Sequence, residues 1–166
     1  MELKRIFRHL LFLPSQIRRI FPQRVMGAIE QAIRDCERCH HGEIRFAVEG
    51  AIGLAPLLKG VTARQRAIDT FSALRVWDTE HNNGVLVYLL LADHKVEIVA
   101  DRGVHRLAGS AAWEGICRDM ETAFRAGRFE AGAVSGIRAI GGCLAEYYPV
   151  HGDAKPNELP DRPVVL

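Results

Sequence analysis

Residues 83–103, NGVLVYLLLADHKVEIVADRG, determine the fold that this sequence predicts. The run from Val85 to Ala92 is apolar at almost every position, which is typical of a strand that is buried on both faces. Asp93 and His94 interrupt the run as a turn, and the residues after them alternate between apolar and polar side chains. The alternation predicts another strand over 96–101, and the short turn predicts that it pairs antiparallel with the first.

Two amphipathic helices and one more strand are predicted before this hairpin. Apolar residues over 25–36 recur at helical spacing, whereas residues 44–49 alternate in the manner of a half-buried strand. Thr62 and Gln65 form a capping box, so a helix is predicted to begin there. Its apolar stripe runs through 67–74.

Two helices are predicted after the hairpin. Ser110 is a favourable N-cap for the first, and Gly127 stands where a left-handed C-terminal residue belongs. The second, over 130–147, carries glycines that would allow close approach to a neighbouring helix. The order helix, strand, helix, strand, strand, helix, helix predicts an α/β fold. We expect a three-layer α/β/α sandwich whose small mixed sheet contains a βαβ crossover and an added antiparallel strand.

Length and composition predict one folded domain with two extensions. The chain has 166 residues, of which 48% are apolar and 25% charged, so it can build a core without disulfides or metals. Residues 25–148 would form the domain, between an N-terminal arm of residues 1–24 and a proline-rich, extended or disordered tail of residues 149–166. A net charge of +2 over a mixed surface argues against a general nucleic-acid-binding function.

The arm of residues 1–24 is basic and amphipathic. It carries six Lys and Arg residues and one Glu, a net charge of +5, which leaves −3 on the rest of the chain. Its apolar run is too short for a secretory signal, and no segment reaches the roughly 18 apolar residues of a membrane span. We therefore expect a cytoplasmic protein whose arm either packs on the domain or contacts an anionic inner-membrane surface. The predicted membrane contacts are Arg5, Phe7, Arg8, Leu10, Leu11, Arg18 and Arg19.

Cys36, Cys39 and His40 spell C-x-x-C-H, the attachment motif of c-type haem. Haem attachment requires export, for which the arm offers no signal, and zinc would need four ligands, for which no second Cys or His cluster exists. The sequence therefore predicts no haem and disfavours zinc. It favours a helix end at which Cys36 is buried and Cys39 and His40 are solvated.

The segment 78–84, DTEHNNG, is the strongest candidate for a functional site. Oxygen-bearing side chains recur at every second position ahead of a glycine, as at the start of a calcium-binding loop. If the hairpin is antiparallel, Asp101 at its far end lies beside this segment. These oxygen donors predict weak binding of a divalent cation, calcium before magnesium, by Asp78, Glu80, Asn82, Asn83 and Asp101. The alternative is that the segment is a solvated turn.

Two stretches of the chain resemble the TPM domain family. The first is NGVLVY at 83–88 with DHKVEIVADRG at 93–103, and the second is FRAGRF at 124–129 with Ala131 and Gly132. The resemblance implies an α/β/α sandwich with metal sites in the acidic loop and after the last strand of the hairpin. It also implies diverse functions, since members include thylakoid proteins with acid phosphatase activity, calcium-binding bacterial proteins and an animal membrane protein that modulates a receptor. Many bacterial members carry a signal peptide and a C-terminal membrane segment. This sequence shows neither pattern, so we expect it to resemble a cytoplasmic-side relative.

These features predict two functions. The first is a divalent-metal-binding interaction domain that works near the membrane with a protein partner that the sequence does not identify. The alternative is a metal-assisted acid phosphatase, in which Asp78, Glu80 and Asp101 hold the ion. A histidine would then carry the proton and an arginine would stabilise charge, the candidates being His81, His105 and Arg102.

Overall fold

The structure, a computed structural model, describes residues 3–150 and 156–166. Residues 1–2 of the predicted arm and 151–155 of the predicted tail lie outside the described residues. The elements are, in chain order, α1 (Leu3–Leu10), α2 (Pro14–Ile20), α3 (Gln23–Glu37), β1 (Glu43–Glu49), α4 (Leu54–Leu58), α5 (Ala63–Ala73), β2 (Gly84–Leu90), β3 (Lys95–Ala100), α6 (Arg102–Arg125), α7 (Phe129–Tyr147) and β4 (Val164–Val165).

The four strands form one mixed sheet in the order β3-β2-β1-β4. β1 runs parallel to β2 and to β4, whereas β2 and β3 pair antiparallel, as predicted. In the register, Val85 of β2 lies between Ile44 of β1 and Ala100 of β3. A parallel pair needs a long crossover connection, and α4 and α5 supply it between β1 and β2.

Helices cover both faces of the sheet, which confirms the predicted α/β sandwich. On one face, Phe46 and Val87 pack in a core that includes Ile33 of α3 and Ile137 of α7. On the other face, Leu86 and Tyr88 pack in a core that includes Leu57 of α4 and Ala67 of α5. Both faces of β2 are therefore buried, as its apolar run predicted. Burial of each large aliphatic side chain contributes about 1.5–3 kcal/mol.

β1 is buried along its whole length, whereas its alternating pattern predicted a half-buried strand. The tail covers two polar residues in the first half of β1: Leu159 N donates to Glu43 Oε2 at 3.1 Å, and Arg45 Nη1 donates to Arg162 O at 3.2 Å. Residues after 163 add β4 to the edge of β1. The tail thus satisfies polar groups that the local pattern alone would leave in water.

Helix boundaries follow the predicted caps with one exception. The capping box is confirmed, because Gln65 N donates to Thr62 Oγ1 at 3.2 Å. α6, however, begins at Arg102, well before the predicted N-cap Ser110. Gly109 breaks α6 with a φ of 74°, so the helix predicted from Ser110 is the second segment of α6.

Glycines of α7 let it pack tightly on α6 and α3. A Cβ at Gly132 would lie 2.8 Å from Ala123 Cβ of α6, and a Cβ at Gly141 would lie 2.9 Å from Cys36 Sγ of α3. Contacts this short would push the helices apart. The close approach predicted from the glycines is therefore confirmed.

The arm forms α1 and α2, and α1 is anchored to the turn between β2 and β3. Arg5 Nη2 lies 2.8 Å from Asp93 Oδ2, and His9 Nε2 lies 3.0 Å from Asp93 Oδ1. His9 is buried, and its Nδ1 accepts a hydrogen bond from Ile52 N at 2.9 Å. One face of α1 is therefore docked on the domain.

Candidate metal site

The loop that joins α5 to β2 carries most of the predicted cation ligands. It turns at Asn82, whose φ of 51° lies in the left-handed region that Asn tolerates better than most residues. Thr79 Oγ1 accepts a hydrogen bond from Asn83 N at 3.1 Å, which holds the turn. β2 begins at Gly84, where a Cβ would clash with the carbonyl oxygen of Val76. Backbone contacts therefore fix how the chain enters the sheet.

Asn83 is fully buried at this entry point. Its Nδ2 donates to His41 O at 2.9 Å, and this bond fixes the orientation of the amide. The other end of the amide, Oδ1, is buried and accepts no hydrogen bond from any of the described residues. The side chain therefore presents one oxygen atom that lacks a positive partner within residues 3–150 and 156–166.

Asp101 lies at the same end of the hairpin, directly after β3. Its N–H donates to Gly84 O at 2.8 Å, which places it beside the start of β2. Its Oδ1 caps α6 by accepting from Arg102 N at 2.6 Å. Its Oδ2 is buried and, like the amide oxygen of Asn83, receives no hydrogen bond from the part of the chain that the structure describes.

Two buried acceptor oxygens at one end of a hairpin are energetically costly, since each unsatisfied buried group costs roughly 1–3 kcal/mol. A partner for them must bring positive charge, either as a cation or as the hydrogens of water. A carboxylate and an amide oxygen are ligands that calcium accepts, so these residues fit a hard cation. The N-terminus of α6 opposes a cation through its partial positive charge, which keeps the expected affinity low.

The remaining predicted ligands lie at the surface of the loop. Asp78 and Glu80 have exposed side chains, and Glu80 N donates to Glu158 Oε2 at 2.8 Å. Among the described residues, no three His, Cys, Asp or Glu side chains are placed to hold one metal ion. The structure therefore places Asn83 and Asp101 at the same end of the hairpin but does not gather Asp78, Glu80 and Asp101 into one cluster.

A cavity of about 700 Å³ adjoins this end of the hairpin. We call it the polar cleft, and its lining residues are His81, Asn82, Arg102, Gly103, Arg106, Leu107 and Tyr148. A Cβ at Gly103 would lie 2.5 Å from Asn82 O and 2.8 Å from Tyr148 Oη, so a larger residue would close the cleft. Two arginines and a phenol thus line a recess beside Asp101.

The charges around the polar cleft act on Tyr148. Burial raises the pKa of Tyr148, Arg106 lowers it in part, and Asp101 raises it further. The net direction is upward, so the phenol keeps its proton at neutral pH and can donate a hydrogen bond. The interactions with Arg106 and Asp101 also show that the three groups lie within electrostatic reach of one another.

The three candidate catalytic residues line two different pockets. His81 and Arg102 line the polar cleft, and the ring centroid of His81 lies 6.2 Å from that of His41. His105 lies instead in a separate surface pocket with Trp113 and Cys117. The structure therefore groups His81 with Arg102 and separates His105 from both.

Sequence reasoning did not identify Arg106 or Tyr148. Arg106 lies one turn after Arg102 on α6, and the helix predicted from Ser110 began too late to include either residue. Tyr148 reaches the cleft because His40 and Pro149 form an isolated antiparallel bridge that draws the end of α7 toward the start of β1. Aspartate is a favourable N-cap residue, so Asp101 was the local signal that α6 begins before Ser110.

The C-x-x-C-H stretch lies at the end of α3. Burial raises the pKa of the Cys36 thiol, whose Sγ lies 3.9 Å from Ile137 O, while Cys39 is exposed. The prediction that His40 is solvated is wrong, since His40 is fully buried and its Nδ1 lies 3.1 Å from Gly42 O. The bridge to Pro149 covers it.

The predicted membrane contacts fall into two groups. Arg5 and Arg8 point to Asp93, at 2.8 and 3.5 Å. Exposed side chains make up the other group: Phe7 (61%), Leu10 (57%) and Leu11 (73%), together with Arg18 and Arg19. No helix among the described residues is both long enough and apolar enough to cross a membrane.

Most of the chain is similar to known proteins. The sequence profile of the TPM domain matches residues 18–143. The chain is similar to the BA42 protein of the psychrophilic bacterium Bizionia argentinensis, solved by NMR, with 31% identity and a TM-score of 0.75 over 86% of this chain and 92% of that one. It is also similar to the N-terminal domain of a protein from P. gingivalis, solved by NMR, with 20% identity and a TM-score of 0.58 over 74% and 76% of the two chains. The second likeness shows a shared fold only. No curated protein matches the chain.

Proposed function

This chain belongs to the TPM domain family, and from that premise we propose that it is a divalent-metal-binding interaction module that works near a membrane. The observation that carries the proposal is two buried oxygens, Asn83 Oδ1 and Asp101 Oδ2, to which the described part of the chain donates no hydrogen bond. Calcium is the preferred ion because it accepts irregular sets of side-chain, carbonyl and water oxygens. Magnesium demands a near-octahedral set and binds more weakly here.

The module would use the ion to stabilise one end of the hairpin. Asp101 and Asn83 would hold it, and the exposed Asp78 and Glu80 of the loop would be additional candidates. A bound divalent cation neutralises negative charge and polarises the oxygen atoms that it contacts. Few ligands are available, so the dissociation constant should be on the order of 10⁻⁴ to 10⁻³ M. At ten times that concentration, binding would stabilise the fold by about 1.4 kcal/mol.

Calorimetric titration with CaCl₂ and with MgCl₂ tests this proposal. Asp101→Ser keeps a hydroxyl that can cap α6 but removes the carboxylate, so it should abolish calcium binding while the protein stays folded. Asp119→Ser, at an exposed position of α6, is the matched control and should bind like the wild type. Equal calcium binding by Asp101→Ser and the wild type would refute a site at Asp101.

Membrane contact is supported by the exposed apolar residues of the arm. Phe7, Leu10 and Leu11 are each more than half exposed, and Arg18 and Arg19 lie exposed nearby in α2. Apolar side chains beside arginines are typical of helices that lie at an anionic lipid surface. We therefore expect weak, reversible binding through this face.

Co-sedimentation with vesicles of phosphatidylglycerol tests membrane contact, and phosphatidylcholine vesicles provide the uncharged comparison. Phe7→Ser should weaken binding by about tenfold, since burial of a large apolar side chain contributes about 1.5–3 kcal/mol. Ile68→Ser, at a position of α5 that is 46% exposed, should have no effect. Vesicle binding that depends neither on lipid charge nor on Phe7 would exclude membrane contact through this face.

A phosphatase function is the alternative, and the polar cleft is the observation that favours it. Arg102 and Arg106 could bind the oxygens of a phosphoryl group, and His81 could hold or release a proton. Turnover of an aryl phosphate with added divalent ions tests it. Activity that Arg102→Gln and Asp101→Ser both abolish would support the phosphatase; absence of turnover in the wild type would leave the binding module as the function.

A further inference from the structure

A second cavity, of about 380 Å³, lies between the arm and the domain and is separate from the metal site. Its walls come from the arm, from the end of β2 and from the junction of α6 with α7. The apolar residues that form them include Leu11, Phe12, Leu89, Leu91, Phe124 and Phe129. Its volume lies at the small end of the roughly 300–1,000 Å³ that ligand sites occupy.

The aromatic wall of the cavity consists of packed rings. The rings of Phe124 and Phe129 stack with centroids 5.4 Å apart, and Phe21 packs edge-on against Phe129 at 5.7 Å. Leu89 and Leu91 are buried at the end of β2 and provide the floor. An apolar recess lined by aromatic and aliphatic side chains suits a hydrocarbon chain.

Two arginines at the rim give the cavity a charge preference. Arg8 lies 3.5 Å from Asp93, a carboxylate that Arg5 already contacts at 2.8 Å. Arg125 lies 3.3 Å from Glu121, a carboxylate that Lys95 also contacts at 3.3 Å. The side chains of Arg8 and Arg125 are 46% and 61% exposed, so either can turn toward a bound anion. Gln16, His94 and Glu121 complete the polar lining, and the rim remains net positive.

We propose that this cavity binds a fatty-acid anion, with the acyl chain against the aromatic wall and the carboxylate at Arg8 and Arg125. The volume fits a single chain, which favours a fatty acid over a lipid with two chains. Leu11 lies at the mouth and is 73% exposed, so the cavity opens on the arm. The inference goes beyond metal binding and does not depend on it.

Calorimetric titration of the full chain with dodecanoate, below its critical micelle concentration, tests the proposal. Saturable binding to the wild type is expected, with weaker binding of dodecanol, which lacks the charge. Leu11→Asp places a carboxylate at the mouth, and Arg125→Gln removes one rim charge; each should weaken binding by about tenfold or more. Both side chains are exposed, so both variants should fold.

Two matched controls separate the cavity from the rest of the surface. Leu3→Asp changes an equally exposed leucine of the arm that does not line the cavity, and Arg118→Gln changes an exposed arginine two turns earlier on α6. Both should bind dodecanoate like the wild type. Binding that is not saturable, or that Leu3→Asp weakens as much as Leu11→Asp, would overturn the proposal by showing adsorption to exposed apolar surface. Calcium binding should be unchanged in all four variants, so the two proposals fail independently.

Discussion

Glu49 and Tyr88 are buried on the face of the sheet that α5 covers, and Glu49 pairs there with the partly exposed Arg66 of α5. Arg66 Nη2 lies 2.7 Å from Glu49 Oε1, and the Tyr88 hydroxyl donates to Glu49 Oε2. Burial raises the pKa of Tyr88 far above its ordinary value, and the neighbouring Glu49 raises it further. The phenol of Tyr88 therefore keeps its proton at neutral pH and donates a hydrogen bond to Glu49.

Removing the two partners of Glu49 should have unequal effects. Tyr88→Phe deletes one hydrogen bond to a carboxylate that keeps its arginine, so we expect a loss of about 1–2 kcal/mol in the free energy of unfolding. Arg66→Ala leaves Glu49 buried without its cation and should cost about 3 kcal/mol. Urea denaturation of the two variants checks the order. A larger loss in Tyr88→Phe would contradict the assignment of Arg66 as the main partner.

The candidate site could be predicted from the sequence only where two strands define it. Asp101 and Asn83 were predicted to be neighbours because an antiparallel hairpin with a short turn fixes which ends meet. Arg106 and Tyr148 could not be predicted. Their positions depend on the early start of α6 and on the bridge between His40 and Pro149, and no local pattern encodes that bridge.

Among the elements, α1 makes its ion pairs with the domain through Asp93, which Arg5, Arg8 and His9 all contact. Burial alone would raise the pKa of Asp93, but hydrogen bonds and charges from Arg5 and His9 outweigh it, so the pKa lies below its ordinary value. A lowered pKa in the folded state contributes stability above the unfolded value of about 3.9. That contribution is lost as the pH falls through the folded value.

Hydrogen exchange of the α1 amides checks this attachment. Asp93→Asn should speed their exchange by about tenfold at neutral pH, because Arg5 and His9 lose a charged partner. In the wild type, the α1 amides should lose protection as the pH falls below about 3.9, whereas Asp93→Asn should show little change there. Asp35→Asn, which removes an exposed ion pair with Arg38, is the control. Equal protection of α1 in Asp93→Asn and the control would exclude Asp93 as the anchor.

The tail contributes to the fold through Leu159. Its side chain is only 8% exposed and packs in the core that contains Leu86 and Tyr88. Leu159→Ala should therefore lower the free energy of unfolding by about 2–3 kcal/mol. Leu166→Ala, at a position 45% exposed, should change it by about 0.5 kcal/mol or less. Thermal denaturation of both variants measures these losses. Equal losses in the two variants would show that the tail is only loosely attached.

At the scale of the whole molecule, the sequence was sufficient to predict the layers of the sandwich but not the edge strand β4. The apolar run of β2 and the helical stripes predicted helices on both faces of the sheet because each face of β2 had to be buried. β4 has two residues, too few for any periodicity to reveal, and it pairs with a strand more than a hundred residues earlier in the chain. Because β4 was not predicted, the burial of β1 was underestimated.

The arm and the proposed cation site lie at opposite ends of the hairpin. α1 contacts the turn at Asp93, whereas Asn83 and Asp101 lie where β2 begins and β3 ends. The two binding functions that we propose are therefore assigned to opposite ends of the sheet.

The most direct test of the central claim is a calcium titration of the full chain followed by NMR. We expect saturable shifts of the backbone amides that centre on residues 78–84 and 101–103, with magnesium producing smaller changes. In Asp101→Ser these shifts should disappear while the rest of the spectrum stays that of a folded protein. Shifts scattered over the acidic surface, or shifts at 78–84 that persist unchanged in Asp101→Ser, would contradict a cation site between Asn83 and Asp101.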